Sequence, residues 1–194
     1  MKNQYQHQPT TQSQDTYKET IVSLIQDLRA EVDVELLTQT GLYRAEDTQT
    51  NIRIVEDIRK AIENMHKEEP TPKHIAEVAI ATNENVQIRD FLMGIRSEKF
   101  AVHNIFDYLL LLSSAVNKDV AIPLTTVFST YLYEASKDEA KSIIEEVLKI
   151  NPDYSLAKLL KRVYDIDIDS SFITSMGEEL HSKVVDVIYD REGK

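Results

Sequence analysis

The chain has no cysteine and no tryptophan among its 194 residues. Without cysteine there is no disulfide, no thiol nucleophile and no Cys-ligated zinc. Glycine is scarce as well: 4 residues, about 2% against a usual ~7%. That shortage argues against a sheet protein with many tight turns. It also argues against a glycine-rich phosphate loop, and no P-loop, G-x-S-x-G or dinucleotide fingerprint is present. Positive charge is in the minority, with 22 Lys and Arg against 33 Asp and Glu and a net charge of −11. That balance argues against a broad phosphate-binding surface, and no direct nucleic-acid partner is expected. Long apolar runs are missing. The longest is Tyr108–Leu112, five residues, far short of the ~20 that span a bilayer. The first residues, MKNQYQHQPTTQSQDT, lack the apolar centre of a secretory signal. The expectation is a soluble cytoplasmic protein with no membrane partner.

What is present is ordinary globular material, 42% apolar and 28% charged, in a chain long enough to bury a core without staples. Residues 1–15 carry five glutamines and almost nothing apolar, so they are read as a disordered Gln-rich tail. Residues 16–194 are read as a single helical domain. Thr16 and Glu19 form a capping-box pattern. Ile21, Leu24, Ile25, Leu28, Val32 and Leu36 then recur at helical steps up to Gly41. A second helix is predicted over 49–66, on the stripe Ile52, Val55, Ile58, Ile62 and Met65. Thr71 and Pro72 open a third as cap and first residue. Asn83 to Asn85 reads as a turn before a short helix over 86–95.

Ser97 is expected to cap a helix over 98–116, whose wide apolar arc (Ile105, Phe106, Leu109, Leu110, Leu112) predicts a central place in the bundle. Asp119 is expected to cap a helix over 120–134 with Pro123 in its first turn. Ser136 and Glu139 form a second capping box, opening a helix that stops before Pro152. Further helices are predicted over 154–164 and 171–189. No segment alternates as a half-buried strand does. The fold class is therefore all-α, built of antiparallel helical hairpins in a compact bundle or a short tetratricopeptide-like array.

Between residues 124 and 152 the spacing of Tyr131, Ala140 and Pro152 matches one tetratricopeptide unit. The small Ala140 lets two helices approach, Tyr131 fills the space beside it, and Pro152 ends the second helix. Phe128 stands near the place where the template has glycine, and no second copy follows in register. A plain helical hairpin accounts for the same spacing.

Ala121-Ile-Pro123-Leu124, Ala140 and the run from Val147 through Pro152-Asp-Tyr154 to Leu160 resemble the C-terminal half of an uncharacterised actinobacterial family. That family is known as a domain of unknown function. Upstream, Val86-Gln-Ile-Arg89-Asp90-Phe91-Leu92 resembles its Arg-Asp segment. The resemblance implies tetratricopeptide-like helical hairpins and no established activity. It singles out Arg89 and Asp90 as candidate partner-binding residues; the plainer reading makes them a helix-end charge and an intramolecular brace.

Other constellations point to structure. Asp165, Asp167 and Asp169 start like a calcium loop, but Ser170 and Met176 stand where glycine and glutamate are needed. They are read as a solvated turn, with Ile166 and Ile168 free to dock on the core. The histidines form no H-E-x-x-H motif. His103 and Asp107 are four apart and are read as a structural pair. Residues 165–194 hold eight acidic and three basic side chains, which suits a solvated helix or a surface for a basic partner. No catalytic residue, metal ligand or cofactor is assigned. The functional expectation is a non-enzymatic protein–protein interaction module of unknown partner. The alternative is an acidic decoy or inhibitor of a nucleic-acid-binding protein.

Overall fold

In the computed structural model, residues 48–190 are described. The Gln-rich tail 1–15 and the helix expected from Thr16 lie outside them. Among the described residues there are eight α-helices, one 3-10 turn and no strand. In chain order they are α1 Thr48–Asn64, α2 Pro72–Glu84, α3 Val86–Met93, the turn Ile95–Ser97, α4 Val102–Ala115, α5 Ile122–Ala135, α6 Lys137–Ile150, α7 Ser155–Asp165 and α8 Ser170–Asp190. The protein is all-α, a helical bundle around one apolar cluster.

Local chemistry explains several boundaries. The Thr71 hydroxyl accepts from the His74 N–H, and Pro72 sits in the first turn of α2. Asn85 serves two helices at once. Its N–H donates to the Ala81 carbonyl to close α2, and its side-chain oxygen accepts from the Gln87 N–H at 2.8 Å to open α3. Pro152 follows directly after α6, where the chain turns into α7. On α1, Val55, Ile58 and Ile62 are fully buried, three- and four-residue steps that keep one face toward the core.

Three expected caps are corrected. α4 starts at Val102 without any side-chain cap. Ser97 instead closes the 3-10 turn, its hydroxyl donating to the Gly94 carbonyl at 2.8 Å. The residues between bend, with the Phe100 N–H donating to the Glu98 carbonyl at 2.9 Å, and the Glu98 carboxylate bonds Arg59 and His181. α5 begins at Ile122 after Ala121, so Asp119 belongs to the preceding turn and does not cap it. Ser136 holds the cap position of α6, yet its hydroxyl makes no capping bond.

The central helix is α5, not α4. Residues Ile122–Leu124 and Thr126–Tyr133 of α5 are all buried, whereas Leu110 of α4 is exposed. Polar residues are tolerated there because their hydroxyls bond back into the helix. Thr126 donates to Ile122 O at 2.6 Å, Ser129 to Thr126 O at 2.7 Å and Thr130 to Val127 O at 2.7 Å. α5 packs on α4, α6 and α3; α6 packs on α7; α8 crosses back onto α3.

Ala140 is fully buried in the α5–α6 hairpin. Tyr131 sends its hydroxyl to the Leu92 and Met93 carbonyls at 2.9 and 3.2 Å, tying α5 to the end of α3. The aromatic that reaches toward α7 is Tyr133. Its ring stacks on Tyr164 at 4.2 Å and its hydroxyl donates to Ile168 O at 3.0 Å. Such a stacked pair adds about 0.5–1.5 kcal/mol beyond its buried area. Ile168 docks against the core, while Ile166 remains 73% exposed.

Candidate functional site

Segments far apart in sequence meet at one end of the bundle. The C-terminal end of α2 supplies Asn83 and Glu84, and α3 supplies Val86 and Arg89. The approach to α5 supplies Asp119, Ile122 and Pro123, and the α6–α7 turn supplies Asn151 and Tyr154. Together they line a cleft of about 450 Å³. Its walls are pinned by short polar contacts. Asn83 Nδ2 donates to Ala79 O at 2.9 Å and to Val120 O at 2.7 Å, holding α2 to the turn before α5. Asn151 Oδ1 accepts from the Asp153 N–H at 3.1 Å, which shapes the turn that presents Tyr154. Asn85 Nδ2 donates to Asn51 Oδ1 at 2.9 Å, so the start of α1 adjoins this end too.

Arg89 and Asp90 pair with each other. Arg89 Nε and Nη2 both donate to Asp90 Oδ1, at 2.9 and 2.6 Å, and the side chains are only 18% and 15% exposed. Burial works against the Arg89 charge, but the hydrogen bond and charge of Asp90 outweigh it and raise the pKa. The Tyr154 hydroxyl is enclosed beside that guanidinium, outside good hydrogen-bond geometry, and has no hydrogen-bond partner among the described residues. Burial raises its pKa, against the lowering effect of Arg89.

With Arg89 neutralised by Asp90, the cleft takes its charge from Glu84 and Asp119, neither of which has an ion-pair partner among the described residues. The apolar part is Ile122, Pro123 and the 54%-exposed Val86. An acidic rim over an apolar floor accepts a cationic side chain carried on an aliphatic stem. Sequence reasoning singled out Arg89 and Asp90. It missed Glu84 and treated Asp119 as a cap, because a carboxylate's free state depends on distant neighbours.

A second cleft, of about 470 Å³, lies between α1 and the start of α2. Its charges largely engage one another: Arg53 with Asp57 and Glu77, Lys60 with Asp57, Lys73 with Glu77. His74 donates to or accepts from the buried Tyr108 hydroxyl there, at 2.8 Å. Desolvation lowers the His74 pKa against the raising effect of Asp57 and Glu77.

A further polar network, centred on a buried histidine, was not visible in the sequence. His181 on α8 is 5% exposed. Its Nδ1 lies 3.0 Å from the Phe91 carbonyl, and its Nε2 lies 3.1 Å from Glu98 Oε1. Arg59 donates to the same carboxylate, and also to Tyr189, which donates to Glu56. Burial alone would raise the Glu98 pKa; the hydrogen bonds and charges of Arg59 and His181 overcome that and hold it at about 2. The local signal was Gly177, one of four glycines, inside a helical run. α8 reaches α3 because Gly177 and Gly94 meet without side chains.

Other polar residues that stood out in the sequence are engaged by protein partners. Asp107 pairs with His66 at 3.6 Å, not with His103, and the His66 and His103 rings stack at 5.1 Å. Asp165 bonds Lys161, Asp167 bonds Lys137, and Asp169 accepts from the Ser171 N–H. Asp167 is also the one non-glycine residue with positive φ, 53°, among the described residues. Glu179 pairs with Lys183. These pairings neutralise part of the acidic C-terminal stretch. Among the described residues no group of His, Asp and Glu is placed to hold a metal ion, and no helix is long and apolar enough to cross a membrane.

Comparison with known protein families, with curated proteins and with solved structures gave no match.

Proposed function

We propose that this chain is a non-enzymatic protein–protein interaction module that takes a partner's basic side chain into the cleft between α2, α3, α5 and α7. One observation carries the reading: Val86–Leu92, Ala121–Leu124 and Asn151–Tyr154 converge on one cleft. They are separated by some thirty residues each, and they close around two unpaired carboxylates. A lysine or arginine entering there lays its stem on Val86 and Ile122 and its head between Glu84 and Asp119. Arg89 and Asp90 act as the brace that holds the floor.

The test is a photo-crosslinking amino acid at Val86 in the full chain, expressed in its native cells, with Val102 on α4 as the comparison site. The expected result is a discrete adduct from Val86 and none from Val102. Glu84→Lys with Asp119→Lys should remove the adduct. Equal labelling from both sites, or an adduct that survives the charge reversal, refutes the reading.

A further inference from the structure

α7 buries Leu156, Ala157, Leu160 and Tyr164 against the bundle. Its outward side carries Ser155, Lys158, Arg162 and Asp165, but one flank beside the buried face is apolar. Leu159 is 48% exposed, Val163 is partly exposed and Ile166, just past the helix, is 73% exposed. Spacings of four and three put them on one stripe. Arg162, exposed and without an ion-pair partner among the described residues, stands on the same side. Lys158 and Lys161 flank it.

The chain carries a segment of the complementary chemistry. Residues 16–36 repeat Ile21, Leu24, Ile25, Leu28, Val32 and Leu36 at helical steps, with five acidic against two basic side chains, a net of 2 − 5 = −3. Such a stripe needs an apolar surface to cover it. The route is short. The described chain enters at Thr48, one turn before Asn51, which bonds to Asn85. Asn85 adjoins Val86, and Val86 lines the same cleft as Tyr154, the residue before α7. Leu159 is five residues further, roughly 7.5 Å along the helix. Residues 37–47, extended, reach up to about 36 Å.

We propose that residues 16–36 of the same chain cover this flank of α7, the apolar stripe lying on Leu159, Val163 and Ile166 and its carboxylates meeting Arg162. This does not depend on the cleft's reading, since the two surfaces are lined by different residues. The segment covers the apolar patch in cis.

The absence of native cysteine makes the test clean. In the full chain, Leu159→Cys is combined singly with Leu24→Cys, Leu28→Cys or Val32→Cys on the stripe, or with Gln26→Cys or Ala30→Cys opposite it. After mild oxidation, non-reducing gels and mass spectrometry separate links within one chain from links between two. Circular dichroism confirms each variant is folded. The expected result is an intramolecular disulfide in most molecules of at least one stripe variant, and in few molecules of either opposite-face variant. Equal linkage from both sets, or no linkage, overturns the proposal. Links between two chains overturn it as well, in favour of a second copy covering the face.

Discussion

Gly94→Ala tests the junction that holds α8 to the bundle. Gly94 has φ −112°, outside the left-handed region that favours glycine and open to alanine. Removing glycine freedom from the unfolded chain would by itself stabilise by about 0.4–1 kcal/mol. The space decides otherwise. A Cβ at Gly94 would lie 2.0 Å from the Gly177 carbonyl oxygen and 2.4 Å from His181 Cβ. The first of these is backbone of α8, so no side-chain rotation relieves it. Relief requires α8 to move by roughly an ångström, at the usual overpacking cost of about 1–3 kcal/mol. That movement also pulls His181 from the Phe91 carbonyl and from Glu98, now at 3.0 and 3.1 Å. A hydrogen bond to a charged group contributes about 1.5–3 kcal/mol. The net loss is on the order of 3 kcal/mol, or roughly 10 °C in Tm for a domain of this size. Urea denaturation and calorimetry of the full chain measure it. Gly177→Ala is the companion. Its Cβ meets the Met93 carbonyl at 2.8 Å, and the helix gains about 1 kcal/mol from alanine, so its loss should be smaller. If Gly94→Ala is as stable as the parent, the close approach of α3 and α8 is not what positions His181.

Ala140→Leu adds three carbons at a fully buried position and should cost about 1–3 kcal/mol; Ala140→Gly should cost roughly 1 kcal/mol. A neutral leucine variant in chemical denaturation would show room beside α6 that the packing denies. For Glu98 the folded pKa is about 2 against an ordinary 4.5. A depressed carboxylate stabilises above the unfolded value and loses that contribution as pH falls toward 2, on the order of 3 kcal/mol in all. Glu98→Gln should therefore flatten the stability profile between pH 5 and 2, read by urea midpoints; an unchanged slope refutes the pairing. For His74 the lowered pKa means the unfolded chain takes up the proton first, so stability is full above 6.5 and declines as pH falls below it. His74→Gln should reduce that decline between pH 7 and 5, and a decline of equal depth would show that His74 is not its source.

The sequence alone determined several structural devices that close within four residues. The Thr71–Pro72 entry to α2, the turn at Asn85, the stop before Pro152 and the apolar steps of α1 are of this kind. Each is satisfied by a neighbour on the same helix, and the all-α class follows from them. The tertiary structure decided the rest by competition between distant partners. Ser97 was a good local cap, but Glu98 binds Arg59 and His181 from α1 and α8, and the helix starts late. α4 has the wider apolar arc, yet α5 lies at the centre because its hydroxyls are internally satisfied and five helices, α2, α3, α4, α6 and α8, pack on it. Arg89 and Asp90 stood out in the sequence as an adjacent pair. That they brace a cleft whose charge comes from Glu84 and Asp119 follows only from the meeting of α2, α3, α5 and α7. His181 had no local mark of its own, since its partners lie 83 and 90 residues away. Periodicity reports which side of a helix is apolar; which helix covers that side, and which charges are left unpaired, is set by contacts that no local window contains.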